Sequence, residues 1–96
     1  MTIYTVVFDW ATEDSHDVEL FVYTDELIAR KTFTTFVQDE KNPENSWCGE
    51  FFTPEGKFNK QYADQVDYEE TSELFHLRQF NSPNYSTIKL LTHFVE

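Results

Sequence analysis

Glycine occurs only twice in this chain, as Gly49 and Gly56. Loops that cradle phosphate use several glycines so that backbone amides can close on the ligand, so nucleotide binding of that kind is not expected. Cysteine occurs once, as Cys48, which excludes an internal disulfide and any metal site built on a cysteine pair. Beside Trp47 it reads as a small, partly buried and inert residue. Basic residues are scarce too: seven Lys and Arg stand against 18 Asp and Glu, a net charge of −11. That field repels nucleic acid and anionic membranes, and it favours solubility and fast encounter with basic partners. No apolar run approaches the ~20 residues that a membrane-spanning helix needs. Met1 leads straight into a strand-like segment, without a basic leader or a long apolar core, so a cytoplasmic protein is expected.

Signatures of catalysis are also missing. There is no G-x-S-x-G elbow, and Cys48 has no histidine near it in sequence. His16, His76 and His93 are scattered and read as ordinary surface or strand residues. The oxygen-rich stretches TEDSHD and DYEETSE lack the glycine that an EF-hand loop requires at its sixth position. Paired carboxylates brought together from distant positions, as in glycoside hydrolysis, would leave no local mark. The chain is expected to be no enzyme and to need no cofactor or metal. A loose carboxylate site for a hard cation, or a small hydrolase, is the residual enzymatic reading.

What the chain does have is bulk to bury. Apolar residues make up 40% and aromatics 18%, with ten Phe, five Tyr and two Trp, enough for one folded domain over residues 1–96. IYTVVFDW, Ile3 to Trp10, and VELFVY, Val18 to Tyr23, read as two strands of a hairpin joined by a loop of about seven residues. Thr24 is placed to cap a helix running to about Glu40, with Asp25 and Glu26 at the positive end of its dipole. Ala29, Phe33, Phe36 and Val37 form its apolar stripe, with Leu27 and Ile28 closing the beginning. Asn42 and Pro43 end it. A second, short helix is expected after Thr53 and Pro54, although Gly56 counts against it. ELFHLRQF and STIKLLTHFV read as two further strands across an NSPN turn, with Ile88, Leu90, Thr92 and Phe94 on one face and Lys89, Leu91, His93 and Val95 on the other. The expected fold is α+β: an antiparallel sheet of about four strands with one main helix packed on one side.

The acids are unevenly spread. Seven precede the first base, Arg30, and Asp64, Asp67, Glu69, Glu70 and Glu73 fall between Gln61 and Leu77, where no Lys or Arg occurs. Such runs commonly keep a protein soluble. Rows of carboxylates can also stand in for phosphates, because nucleic-acid-binding grooves gain much of their affinity by exchanging counterions for fixed charge. Asp67 and Glu69, two apart on a strand, would lie roughly 6 to 7 Å apart on one face, comparable with two phosphate steps of a duplex. Tyr68 lies within the block, and with Tyr4, Tyr23, Tyr62, Tyr85, Trp10 and Trp47 it offers aromatic surface of the type favoured at interfaces.

With acidic blocks EDSHDVE and DQVDYEETSE on a compact α+β frame, the chain resembles the short, acidic, single-domain anti-CRISPR proteins of the DNA-mimic type that phages and mobile elements carry, including inhibitors of type I-F surveillance complexes. The resemblance implies no catalysis. It implies docking on the basic path by which target DNA enters a CRISPR surveillance complex in the bacterial cytoplasm. The contact residues would be Asp64, Asp67, Tyr68, Glu69, Glu70 and Glu73, with Glu13, Asp14 and Asp17 as a second patch. The alternative is a small acidic adaptor or toxin-neutralising partner that binds another protein through an aromatic surface.

Overall fold

The computed structural model describes residues 1–96. Five strands, β1 (Thr2–Ala11), β2 (His16–Tyr23), β3 (Val66–Glu70), β4 (Leu74–Gln79) and β5 (Tyr85–Phe94), form one antiparallel sheet in the order β2-β1-β5-β4-β3. One helix, α1 (Glu26–Glu40), packs on one face, so the fold is α+β as the sequence predicts. The strand beyond the expected four is β3, which carries the acidic run.

The β1–β2 loop is only Thr12 to Ser15, closed by a Thr12 N–H to Ser15 C=O bond of 2.7 Å, because His16 and Asp17 still pair with β1. Asp25, not Thr24, caps α1: its Oδ1 accepts from Leu27 N–H at 2.9 Å and from Ile28 N–H at 3.4 Å. The expected stripe is the buried one. Ala29, Phe33 and Val37 are buried, and Phe36 lies 5.6 Å from the Phe8 ring and 5.2 Å from Phe21. Leu27 and Ile28 do not close the stripe; they are exposed, because at about 100° per residue Leu27 lies roughly opposite Ala29 on the helix.

The helix covers only the half of the sheet formed by β2, β1 and β5. The segment between α1 and β3 covers the rest. A 3-10 turn over Trp47–Phe51 buries Cys48 and Phe51, and a second turn spans Lys60–Tyr62. No helix follows Pro54. Thr53 N–H bonds Lys57 C=O at 2.7 Å across a tight turn in which Gly56 has φ +82°, a conformation that suits glycine. This turn folds Phe58 back beside Phe52, whose ring lies 5.8 Å from Phe75 of β4. Phe58 in turn stacks on Tyr68 of β3 at 4.5 Å and 11°. Fully burying a side chain of this size contributes roughly 1.5–3 kcal/mol, so these phenylalanines anchor a segment with little regular structure.

The other face of the sheet has no layer over it. β5 alternates as expected as far as Leu91, with Ile88 and Leu90 buried and Lys89 and Leu91 exposed, but Thr92 and Phe94, expected on the same face as Ile88, are exposed at its end. On β2 the same open face carries Val18, Leu20 and Val22, which are 55%, 63% and 63% exposed.

Candidate acidic interface

Carboxylates that recognise a basic partner must be exposed and free of internal cations. Every Asp and Glu except Asp9 and Glu40 is exposed, and apart from Glu70, whose side chain is only 27% exposed, the first condition holds across the surface. The second separates the two blocks.

Glu13 and Asp14 stand in the β1–β2 loop, and Asp17 follows on β2 with Glu19 two residues beyond it on the same face. No Lys, Arg or His approaches any of these four within ion-pair distance; the ion pairs of the structure all lie elsewhere. Asp17 makes one short-range contact, accepting the Val18 N–H at 2.8 Å. Glu19 was not among the expected contacts, yet the alternation of Asp17 and Glu19 with Val18 and Leu20 already placed it beside Asp17.

The β3 block is largely answered from within. Lys41, from the end of α1, holds Nζ 2.9 Å from each Glu70 oxygen. Tyr68 donates its hydroxyl to Glu70 Oε1 at 2.5 Å. Burial, then the bond and charge of Glu70, raise the Tyr68 phenol well above its ordinary range. With its ring stacked on Phe58, Tyr68 is a packing residue that orients Glu70. Glu73 lies 4.0 Å from Arg30, and Asp67 Oδ2 lies 3.7 Å from His76 Nε2, whose other ring nitrogen bonds Thr87 Oγ1 at 2.8 Å. Asp64, before β3, and Glu69, on the open face, have no cationic neighbour. The absence of Lys and Arg between Gln61 and Leu77 therefore does not leave that block unneutralised, because the fold brings Lys41 and Arg30 to it from α1.

The two blocks occupy opposite edges of the sheet, since β2 and β3 are its outer strands. Four inter-strand spacings of about 4.8 Å separate them, roughly 19 Å, so they are two short rows and not one ridge. The tyrosines and tryptophans do not supply an exposed aromatic surface. All seven are partly buried, and Tyr4, Tyr23, Trp47, Tyr62 and Tyr68 pack against the core, while Tyr85 donates to Asp9 at 2.7 Å. The exposed apolar surface is aliphatic instead, centred on Val18, Leu20 and Val22.

Comparison with known proteins finds no family model, no curated protein and no solved structure that matches this chain. Cys48 is buried, and burial with the nearby Glu40 charge pushes its thiol up to about 12, so it is not a thiolate nucleophile at neutral pH. No three His, Cys, Asp or Glu side chains converge in the geometry of a metal site. A groove of about 520 Å³ is open to solvent and runs past Gln38, Lys41, Phe52 and Pro54.

Proposed function

We propose that this protein is a non-enzymatic acidic inhibitor that occupies the basic nucleic-acid path of a partner protein. The likeness to DNA-mimic anti-CRISPR proteins nominates a type I-F CRISPR surveillance complex as that partner, with target DNA excluded by occupancy. The observation that carries the reading is the β1–β2 group, Glu13, Asp14, Asp17 and Glu19, exposed and without an internal cation. A strand sets Asp17 and Glu19 about 7 Å apart on one face, as it does Asp67 and Glu69 at the far edge, a pitch compatible with alternate phosphates. The field of a chain at −11 steers such a surface towards lysines and arginines.

The test is competition for target DNA on a purified type I-F surveillance complex at about 50 and 200 mM salt. The expected result is displacement of DNA that weakens at the higher salt. Reversal of Glu13, Asp14 and Asp17 to Lys is expected to slow association about tenfold or more, the signature of steering charges. DNA binding untouched at low salt would overturn the choice of partner. Binding unchanged after reversal of both edge groups would overturn mimicry itself.

A second reading, a protein-binding adaptor or toxin-neutralising partner, is favoured by the exposed aliphatic row Val18, Leu20 and Val22. Its mark would be greater sensitivity to Leu20→Ser than to charge reversal.

A further inference from the structure

Strand β2 is an outer strand with a free edge, and the ladder sets which of its backbone groups point outward. The Met1 amino group donates to Val95 C=O and the Val95 N–H to Met1 C=O, each at 2.7 Å. In an antiparallel ladder such bonded pairs recur at every second residue, so the odd-numbered residues of β1 bond to β5 and the even-numbered ones to β2. Through the register Val6 with Phe21 and Phe8 with Glu19, this engages the odd-numbered residues of β2. The N–H and C=O groups of Val18, Leu20 and Val22 therefore point away from the sheet. Consistently, the Val18 N–H is met by the Asp17 carboxylate and by no strand.

Apart from the Val18 N–H, which the Asp17 carboxylate occupies, these outward backbone groups are free, and they belong to the residues whose aliphatic side chains lie exposed on the open face. The intervening residues Asp17 and Glu19 present carboxylates on the other face. Natural sheets protect outer strands with lysine and other charged side chains, proline, bulges or shortness. On β2 only the carboxylates of Asp17 and Glu19 serve that way, repelling acidic segments and not basic ones. β2 has eight residues, none of them lysine or proline, and its register with β1 runs without a bulge.

We propose that β2 is a docking edge for an extended segment of a basic protein, which adds to the sheet as a sixth strand. The segment would place aliphatic side chains beside Val18, Leu20 and Val22, and Lys or Arg at the alternate positions beside Asp17 and Glu19. Charge complementarity selects this occupant, because no base lies anywhere in the chain before Arg30. The same charge excludes a second copy of the chain. Pairing of β2 with itself would bring two chains of net charge −11 edge to edge, with both copies of Glu13, Asp14, Asp17 and Glu19 close to the seam. In such strand addition, main-chain hydrogen bonds provide affinity and the alternating side chains provide selectivity. The inference rests on the reading of this protein as a binder of basic partners, and it specifies how the partner is held.

The experiment uses the whole protein and three synthetic ten-residue peptides: alternating Lys-Val, alternating Glu-Val, and Lys and Val in two separate blocks. Binding and amide hydrogen exchange are followed by NMR. The expected result is binding of the alternating basic peptide at least about tenfold tighter than the block peptide, none by the acidic one, and slowed exchange at Leu20 and Val22. Leu20→Pro removes an outward N–H without removing a bond to β1, and is expected to abolish that binding. Leu20→Thr, which keeps the backbone group and removes the aliphatic contact, is expected to weaken it and serves where the proline variant does not fold. Equal binding of alternating and block peptides, or binding without protection at Leu20 and Val22, would overturn the inference in favour of loose charge attraction. Displacement of DNA from the surveillance complex with no peptide seated on β2 would remove the docking mode alone. A seated peptide with no displacement would remove the choice of partner alone.

Discussion

The Ser86 hydroxyl of β5 donates to the Glu40 carboxylate at the end of α1 at 2.5 Å, and both side chains are buried. This polar contact fixes where the helix terminus meets the centre of the sheet. Ser86→Ala leaves the carboxylate short of a donor and is expected to destabilise the fold by roughly 1–3 kcal/mol. Adding Glu40→Met should recover most of the loss, since an apolar pair leaves nothing unsatisfied. Urea denaturation of the single and double variants checks this; a double variant no better than Ser86→Ala would refute it.

Alkaline pH should destabilise the protein through one buried acid, Cys48, and one half-buried acid, Tyr68. Burial, aided by the Glu40 charge and partly opposed by the Ser46 and Ser86 hydroxyls, raises the Cys48 thiol from 9.0 to about 12. Burial and Glu70 raise the Tyr68 phenol from 10.0 as well. The native chain therefore keeps protons that the unfolded chain has lost, so stability is intact below pH 9.0 and declines as pH rises towards 12. For the thiol the slope approaches about 1.4 kcal/mol per pH unit. Thermal melts across this range should show a shallower decline in Cys48→Ala, and also in Tyr68→Phe at the upper end. Parallel curves for all three proteins would contradict the assignment.

Gly49 is packed against main chain. A Cβ placed there would lie 2.2 Å from Pro43 N and 2.4 Å from the Asn42 carbonyl carbon. Gly49→Ala must push the turn after α1 off the 3-10 segment, with an expected loss of about 2–3 kcal/mol. At Gly56 the nearest atom to such a Cβ is a flexible Lys41 carbon at 3.7 Å, and only the positive φ resists substitution. Gly56→Ala should accordingly cost about 1 kcal/mol. Denaturation midpoints giving the reverse order would show that the helix–turn junction is looser than drawn.

Lys41 serves stability and not binding. It sits between Glu70 and the Phe52 ring, 5.5 Å from the ring centroid, with its side chain 18% exposed. Lys41→Met should destabilise by about 1–2 kcal/mol, whereas Asp67→Asn and Glu69→Gln should stay within about 0.5 kcal/mol. In competition experiments Glu70→Gln should matter less than Glu69→Gln, because Glu70 is already engaged. A larger binding loss at Glu70 would reverse that division of roles.

The sequence was most legible where one side-chain period dominated. The helical spacing of Ala29, Phe33, Phe36 and Val37 marks the buried stripe, and the alternation from Ser86 onwards marks the faces of β5. It was least legible where tertiary contacts do the work. Phe51, Phe52 and Phe58 have no shared period because they pack from turns, Phe51 against Tyr62, Phe52 against Phe75 and Phe58 against Tyr68. β3 does not stand out as a separate strand because its five residues carry three acids, and of its inward side chains only Val66 and Tyr68 are apolar or aromatic. The candidate site was legible as composition but not as pairing. Nothing local to Glu70 or Glu73 announces Lys41 or Arg30, which come from another element. The alternation of Val18, Leu20 and Val22 was visible, but which face would be left open depends on the side the helix chooses.

The order of the strands also governs how the chain can fold. β1 and β5 are neighbours inside the sheet although they lie at opposite ends of the sequence, paired from Thr2 with Phe94 to Ala11 with Tyr85. The β1–β2 and β3–β4 hairpins are local and can form early, but each is a half-sheet until the last ten-residue strand joins them. Such long-range closure is expected to make folding slower than that of a helical bundle of the same length. Loss of β5 would not trim the sheet at its margin; it would divide it into two hairpins with no shared strand.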